Sequence, residues 1–142
     1  MHKLTQAAVI ASLTVLGSSG AALAEKFSIY DCTFKVSVGA FLSESFTLFV
    51  SEESDQAFAM DGVIHFAYGE PIEVGATETD AKIVARWRVD LHDANGHAAK
   101  MDYRFAYLKN NGRATISATA VRYANKDQAH GRCTHAQKDL TG

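Results

Sequence analysis

The chain contains 142 residues, 47% of them hydrophobic, and 14 Lys and Arg against 16 Asp and Glu give it a net charge of −2 at neutral pH. Without a basic excess it lacks the electrostatic footprint of a nucleic-acid-binding protein. No apolar run reaches the ~20 residues that cross a bilayer as a helix, so we expect no membrane span.

Residues 1–24 have the three parts of a secretory signal peptide. A short positive start is followed by an apolar run over Ala7–Leu16 and by the small-x-small pattern of Ala22–Ala24. We therefore expect cleavage before Glu25 and a periplasmic or secreted product. The remaining chain, residues 25–142, has the size of a single domain, and we expect it to be a single β domain.

The two cysteines of the chain, Cys32 and Cys133, lie near the two ends of this domain. In an oxidising compartment such a pair normally forms a disulfide. Closing a loop of about 100 residues is worth roughly 4–5 kcal/mol on the chain-entropy model. The sequence has no C-x-x-C pair, so we expect a disulfide and neither a metal site nor a redox cofactor.

Alternation of apolar and polar residues dominates the first half of the domain and predicts strands. Strands are predicted over Phe27–Val38, Phe46–Ser51, Gly62–Tyr68 and, less regularly, Glu70–Gly75. The apolar phase of the first strand shifts near Tyr30, which predicts a bulge. Residues 51–60 fit either a short helical turn or a loop.

The next two strands, Lys82–Leu91 and Ala99–Leu108, form a predicted hairpin. A three-residue loop, Ala94–Gly96, with glycine in the left-handed conformation gives one register for the hairpin. In this register apolar residues oppose each other on one face, and opposite charges oppose each other on the other face. The register pairs Trp87 with Tyr103, Val89 with Met101, Arg88 with Asp102 and Asp90 with Lys100, and it also opposes Arg86 to Arg104. Each of the two pairs of opposite charge stabilises the hairpin by a few tenths of a kcal/mol.

A second hairpin is predicted at Asn111-Gly112. A two-residue turn would place small residues opposite large ones, as a filled interior requires. The pairs would be Ile116 with Tyr107, Ala118 with Phe105 and Ala120 with Tyr103. A final short strand, Arg132–His135, would bring Cys133 beside Cys32. We therefore predict an all-β fold, a small antiparallel β-barrel of six to eight strands with one disulfide, with a β-sandwich as the alternative.

Motifs that would indicate catalysis or metal binding are weak. His92, Asp93 and His97 flank one turn, but an exposed Asp93–His97 pair explains them without a metal. His130 and His135 are expected to be solvated loop residues. A nucleophile elbow, a zinc-protease motif, a phosphate loop and a dinucleotide fingerprint are absent from the sequence, so we assign no catalytic residue and no cofactor.

The charges are unevenly distributed along the chain. Between Val36 and Ala81 there are nine acidic residues and no Lys or Arg, whereas Lys82–Gly142 carries eleven basic and five acidic residues. One hypothesis is that the acids, with Glu70, Glu73 and Glu78 as candidate binding residues, form a face that attracts a cationic protein partner. The neutral alternative is that acidic strands lie beside basic ones.

Two other functions are compatible with the sequence. A small-molecule carrier would use a cavity lined by Trp87, Tyr103 and Phe105. A hydrolase would use a pair of the acidic residues between Glu44 and Asp80. A non-catalytic binding protein is our first expectation.

In its signal peptide, small size and single expected disulfide, the chain is similar to the small exported β-barrels that inhibit lysozyme. Their Ser-Gly-x-x-Tyr type loop is not found, and the nearest segment, Ser117–Tyr123, lies within a predicted strand. The likeness is limited to size and compartment, so we assign no family.

Overall fold

The computed structural model describes residues 25–92, 95–123 and 125–140, and the predicted signal peptide lies outside them. The described residues form eight β-strands and one short α-helix. In chain order these are β1 (Glu25–Lys35), β2 (Ser45–Ser51), β3 (Ala57–Asp61), α1 (Gly62–Tyr68), β4 (Ile72–Glu78), β5 (Lys82–His92), β6 (Ala98–Leu108), β7 (Arg113–Ala120) and β8 (Lys126–Leu140).

Each strand pairs antiparallel with the next one in the chain, and β8 pairs with β1, so the sheet closes into a barrel. The predicted barrel is therefore confirmed in preference to the sandwich. Closure gives every strand two hydrogen-bonded neighbours and removes the exposed edges that favour aggregation.

The connections alternate between the two ends of this up-and-down barrel. The β1–β2 loop, α1, the β5–β6 hairpin and the β7–β8 loop lie at what we call the helix end. The β2–β3, β4–β5 and β6–β7 connections lie at the terminal end, together with Glu25 and Leu140, which pair with each other.

The predicted disulfide joins Cys32 and Cys133, which lie directly opposite each other on β1 and β8. It therefore crosslinks the first and last strands where the barrel closes. The backbones of these strands approach closely beside it, because a Cβ added to Gly131 would collide with the carbonyl oxygen of Thr33.

Inward-facing side chains fill the barrel. Trp87 stacks on Phe46 and on Tyr103 with ring centroids 5.3 and 5.4 Å apart, and Phe105 also contacts the Phe46 ring. Small inward residues such as Ala85 make room for these rings, and both Ala85 and Phe105 are fully buried. The interior is thus a packed core, as is usual for eight-stranded barrels.

The register of the β5–β6 hairpin is the one predicted from its charges. Trp87 lies opposite Tyr103, Arg88 opposite Asp102 and Asp90 opposite Lys100. Gly96 has the left-handed conformation expected of it, with φ of 80°. Ala94 lies outside the described residues.

The register predicted for the β6–β7 hairpin is wrong by two residues. Tyr107 lies opposite Ala114, Phe105 opposite Ile116 and Tyr103 opposite Ala118. The connection has four residues, 109–112, and the Gly112 amide donates to the Leu108 carbonyl at 3.0 Å. A shift of two residues keeps every side chain on its face, so the inward residues were still correctly identified.

The strand predicted over Gly62–Tyr68 is an α-helix. The Asp61 carboxylate accepts a hydrogen bond from the Ile64 amide at 2.8 Å and so caps its first turn. Gly69, with φ of 74°, ends it. The strand in this region, β3, lies just upstream, in the segment that was expected to be a helical turn or a loop.

The bulge predicted in β1 is also wrong, since β1 pairs residue for residue with both neighbours. The apolar phase shifts because β1 buries residues on both faces. Cys32 and Phe34 face the core, whereas Phe27 and Ile29 belong to the outer face and are still buried. Phe27 makes an edge contact there with Phe58, at a ring-centroid distance of 6.3 Å.

Candidate functional site

Of the three predicted acidic binding residues, two lie in β4 and one lies just before it. Glu70 is in the turn between α1 and β4, and Glu73 points outward from the strand. Glu78 is the last residue of β4, at the terminal end, and its carboxylate pairs with the Lys109 ammonium at 2.9 Å. Other acids of this half, such as Glu52 and Glu53, lie in the β2–β3 connection at the terminal end.

The aromatic residues considered for a ligand cavity, Trp87, Tyr103 and Phe105, are all buried in the packed core. The Tyr103 hydroxyl donates to the Phe41 carbonyl at 2.7 Å, which ties the β1–β2 loop to the barrel. Burial, with the nearby carboxylates of Asp61 and Asp127, raises the pKa of Tyr103, so it stays a neutral hydrogen-bond donor.

Asp61 is a buried acid, 6% exposed, at the inward-facing end of β3. One carboxylate oxygen caps α1, while the other has no hydrogen-bond partner in the described residues. Burial raises the pKa of Asp61. Asp61 therefore acts as the N-cap of α1, which begins at the next residue.

The most distinctive surface is a groove of about 530 Å³ at the helix end. One wall is built from the β1–β2 loop and α1, and the other from the ends of β5 and β6. We call it the helix-end groove, and its apolar lining includes Ala40, Phe41, Val63, Phe66, Leu91 and Ala99. Because these residues come from three separate chain segments, no contiguous motif marks the groove in the sequence.

Three hydrogen bonds hold the walls of the groove in place. The Ser43 hydroxyl accepts from the Val63 amide at 3.2 Å and joins the loop to α1. The Phe41 amide donates to the Asp127 carboxylate at 3.0 Å. The Asp90 amide donates to the Tyr68 hydroxyl at 3.1 Å, which joins the end of α1 to β5.

Large apolar side chains are exposed mainly at this end of the molecule. Among the described residues, Val38, Phe41, Phe66, Tyr68 and Tyr123 are exposed at the helix end, against Leu108 and Leu140 at the terminal end. Phe66 is 76% exposed and Phe41 52%, and both line the groove. The helix end therefore presents more exposed apolar surface than the terminal end among the described residues.

The histidines of the described residues lie in different parts of the barrel. His92 and His97 line the helix-end groove, while Asp93 lies outside the described residues. His130 and His135 are exposed, but both are in β8 and not in a loop as predicted. Within the described residues, no group of three or more His, Cys, Asp and Glu side chains could hold a metal ion.

Comparison of the chain with protein-family models, with curated proteins and with solved structures finds no match. In the part of the chain that the structure describes, no helix is long and apolar enough to cross a membrane.

Proposed function

We propose that this protein is an exported, non-catalytic binding protein that holds an apolar segment of a partner protein in its helix-end groove. The observation that carries the proposal is the clustering of exposed Phe41 and Phe66 around this groove, on a barrel whose interior is already filled. Exposing two large aromatic rings to water is unfavourable, and burying them against a partner recovers that free energy.

The packed interior supports this assignment over the carrier alternative. Trp87, Tyr103 and Phe105 already contact one another or Phe46 in the core, so a small molecule would have to displace them. A hydrolase receives less support, because the buried Asp61 caps a helix and Glu78 is held in an ion pair.

Two acidic residues that follow groove-forming segments in the chain support a cationic partner. Glu44 adjoins Ser43 of the lining, and Glu70 follows the end of α1. In the described part of the chain, neither acid has an ion-pair partner among the salt bridges. We therefore propose an apolar segment flanked by Lys or Arg, a form of the cationic partner suggested by the sequence.

The groove can be tested with Nile red, a neutral apolar dye that avoids electrostatic binding. We expect Phe66→Ser and Phe41→Ser each to weaken dye binding about tenfold or more, because a large apolar contact of about 1.5–3 kcal/mol is removed. Leu140→Ser at the terminal end, outside both the groove and a second cavity between β7, β8 and β1, is the matched control and should bind like the wild type. Equal losses in all three variants would contradict the proposal.

Peptides then test the partner's chemistry. Fluorescence anisotropy would compare a labelled Leu- and Phe-rich peptide flanked by Lys with the same core flanked by Glu. We expect tighter binding of the Lys-flanked peptide and faster association at low salt, since rim charges act mainly on the association rate. Glu70→Gln should reduce this preference. Equal affinity for both peptides would refute the acidic rim as a determinant.

A further inference from the structure

A second surface, on the outer wall of β5–β8 and β1, is basic. Side chains outside the barrel alternate with the buried core residues of each strand. We call the outward set Lys35, Arg86, Arg104, Arg113, His130 and Arg132 the basic face. The strands follow one another around the barrel in chain order, so the basic half of the sequence becomes one wall.

Two arginine pairs on this face lie directly opposite each other. Arg86 is opposed to Arg104, and Arg113 to Arg132. Elsewhere on the wall a basic residue meets an acidic one: the Arg88 guanidinium lies 2.7 Å from the Asp102 carboxylate. Since like charges directly opposite each other destabilise a sheet, the Arg113–Arg132 pair has a cost that an intervening anion would remove.

A cavity of about 650 Å³ lies beside this second pair, between β7, β8 and β1. Its polar lining consists of Lys35, Arg113, His130, Arg132 and the hydroxyls of Thr33 and Thr115. Phe34, Leu108, Ala114 and Gly131 complete the lining, which contains no acidic residue. Few of these donors are used internally: Arg132 donates to the Asn111 carbonyl at a long 3.4 Å, and the Thr115 hydroxyl lies 3.3 Å from His130 Nδ1.

The close approach of β8 to β1 assembles the cavity. Since only glycine at position 131 avoids the Thr33 carbonyl, the strands can bring His130 opposite Lys35 and Arg132 opposite Thr33. Four positively charged or ionisable groups from three strands thus surround one space. Guanidinium and hydroxyl donors in this arrangement match the oxygens of a tetrahedral oxyanion.

We propose that this cavity binds a phosphate-type oxyanion, either free or as the headgroup of an anionic lipid. The site shares no lining residue with the helix-end groove, so it does not rest on the function proposed above. Arg113 and Arg132 contact the anion, Lys35 contributes positive charge at its rim, and the His130 ring lies beside them.

Calorimetry with pyrophosphate at low salt tests the site. We expect Arg113→Gln to weaken binding at least about tenfold, because a charge-assisted hydrogen bond is lost. Arg88→Gln removes the same charge from a residue that already has a carboxylate partner, and it should bind as the wild type does. A similar loss in Arg88→Gln, or no binding by the wild type, would overturn the proposal.

Thermal unfolding gives an independent readout. Without anion, Arg113→Gln should unfold at a higher temperature than the wild type, since like-charge repulsion is relieved. Pyrophosphate should raise the midpoint of the wild type by more than it raises that of the variant, because the variant binds the anion more weakly. A lower midpoint for anion-free Arg113→Gln would instead indicate a structural role for this arginine and would contradict the site.

Vesicles distinguish the two sources of the anion. Sedimentation with phosphatidylglycerol vesicles, against phosphatidylcholine vesicles, identifies a lipid headgroup if binding depends on Arg113. If Arg113→Gln weakens binding of pyrophosphate but not of vesicles, the ligand is a free phosphate. If Arg113→Gln weakens neither, the site is rejected. Phe66→Ser should leave both results unchanged, which separates this proposal from the helix-end groove.

Discussion

At the scale of single residues, Asp61 combines two opposed effects. Its carboxylate caps α1, which stabilises the helix, but the buried second oxygen has no partner in the described residues. Burial raises the pKa of Asp61 above its ordinary value of 3.8, so the folded protein binds the Asp61 proton more tightly than the unfolded chain does. The contribution of this proton to stability is fully present below pH 3.8 and is lost as the pH rises through the folded pKa.

Asp61→Asn should therefore be more stable than the wild type at pH 7. The amide oxygen still caps the helix, while the buried charge is removed. The advantage should shrink as the pH falls towards 4, and urea unfolding between pH 4 and 7 measures it. Asp61→Ala, which loses the cap, should be about 1 kcal/mol less stable than Asp61→Asn. An advantage that does not vary with pH would contradict the buried-charge argument.

At the scale of elements, α1 shows where sequence patterns are informative. The segment Gly62–Tyr68 is rich in residues that favour strands, and seven residues are too few for a helical period to emerge. The residues that decide its structure are the capping pair Asp61 and Gly69, which flank it. Because the helix was not predicted, the groove that it borders was not predicted either.

The hairpins make the same point about register. In β5–β6 the charges Arg88 and Asp102 selected one register, and the structure has it. In β6–β7 no pair of opposite charges on the outer face distinguishes the two candidate registers. On the inner face, both registers place mostly large residues opposite small ones. The connection has four residues where two were predicted, and the hydrogen bond from the Gly112 amide to the Leu108 carbonyl closes it. No residue pattern in the sequence indicates this bond.

Gly69→Ala tests the importance of α1 for the groove. Gly69 is left-handed and has open space around its Cβ position, so the alanine would cost about 1–2 kcal/mol in backbone strain and nothing in collisions. We expect lower stability in urea and weaker Nile red binding as the helix loosens. Gly75→Ala in β4, where a Cβ would make an ordinary 3.8 Å contact, is the control and should lower neither stability nor dye binding. Unchanged dye binding in Gly69→Ala would contradict a role for α1 in the groove.

At the scale of the whole molecule, the disulfide crosslinks two residues that are 101 positions apart in sequence. Replacing both Cys32 and Cys133 by serine should lower the free energy of unfolding by about 4–5 kcal/mol, because the unfolded chain regains the entropy that the crosslink removes. Urea unfolding with and without a reducing agent provides the measurement. Reduction should destabilise the wild type to a similar extent and leave the double variant unaffected. Identical midpoints for oxidised and reduced wild type would contradict the prediction.

The pairing of β1 with β8 also sets the order in which the chain can fold. β2 follows β1 after nine residues, but the second neighbour of β1 is the last strand, so the barrel cannot close until the chain is almost fully synthesised. Contacts this distant in sequence slow folding. The sequence contains two cysteines, so no incorrect intramolecular bridge can form during that delay. Oxidation can therefore lock only the native closure, and its rate reports directly when β8 reaches β1.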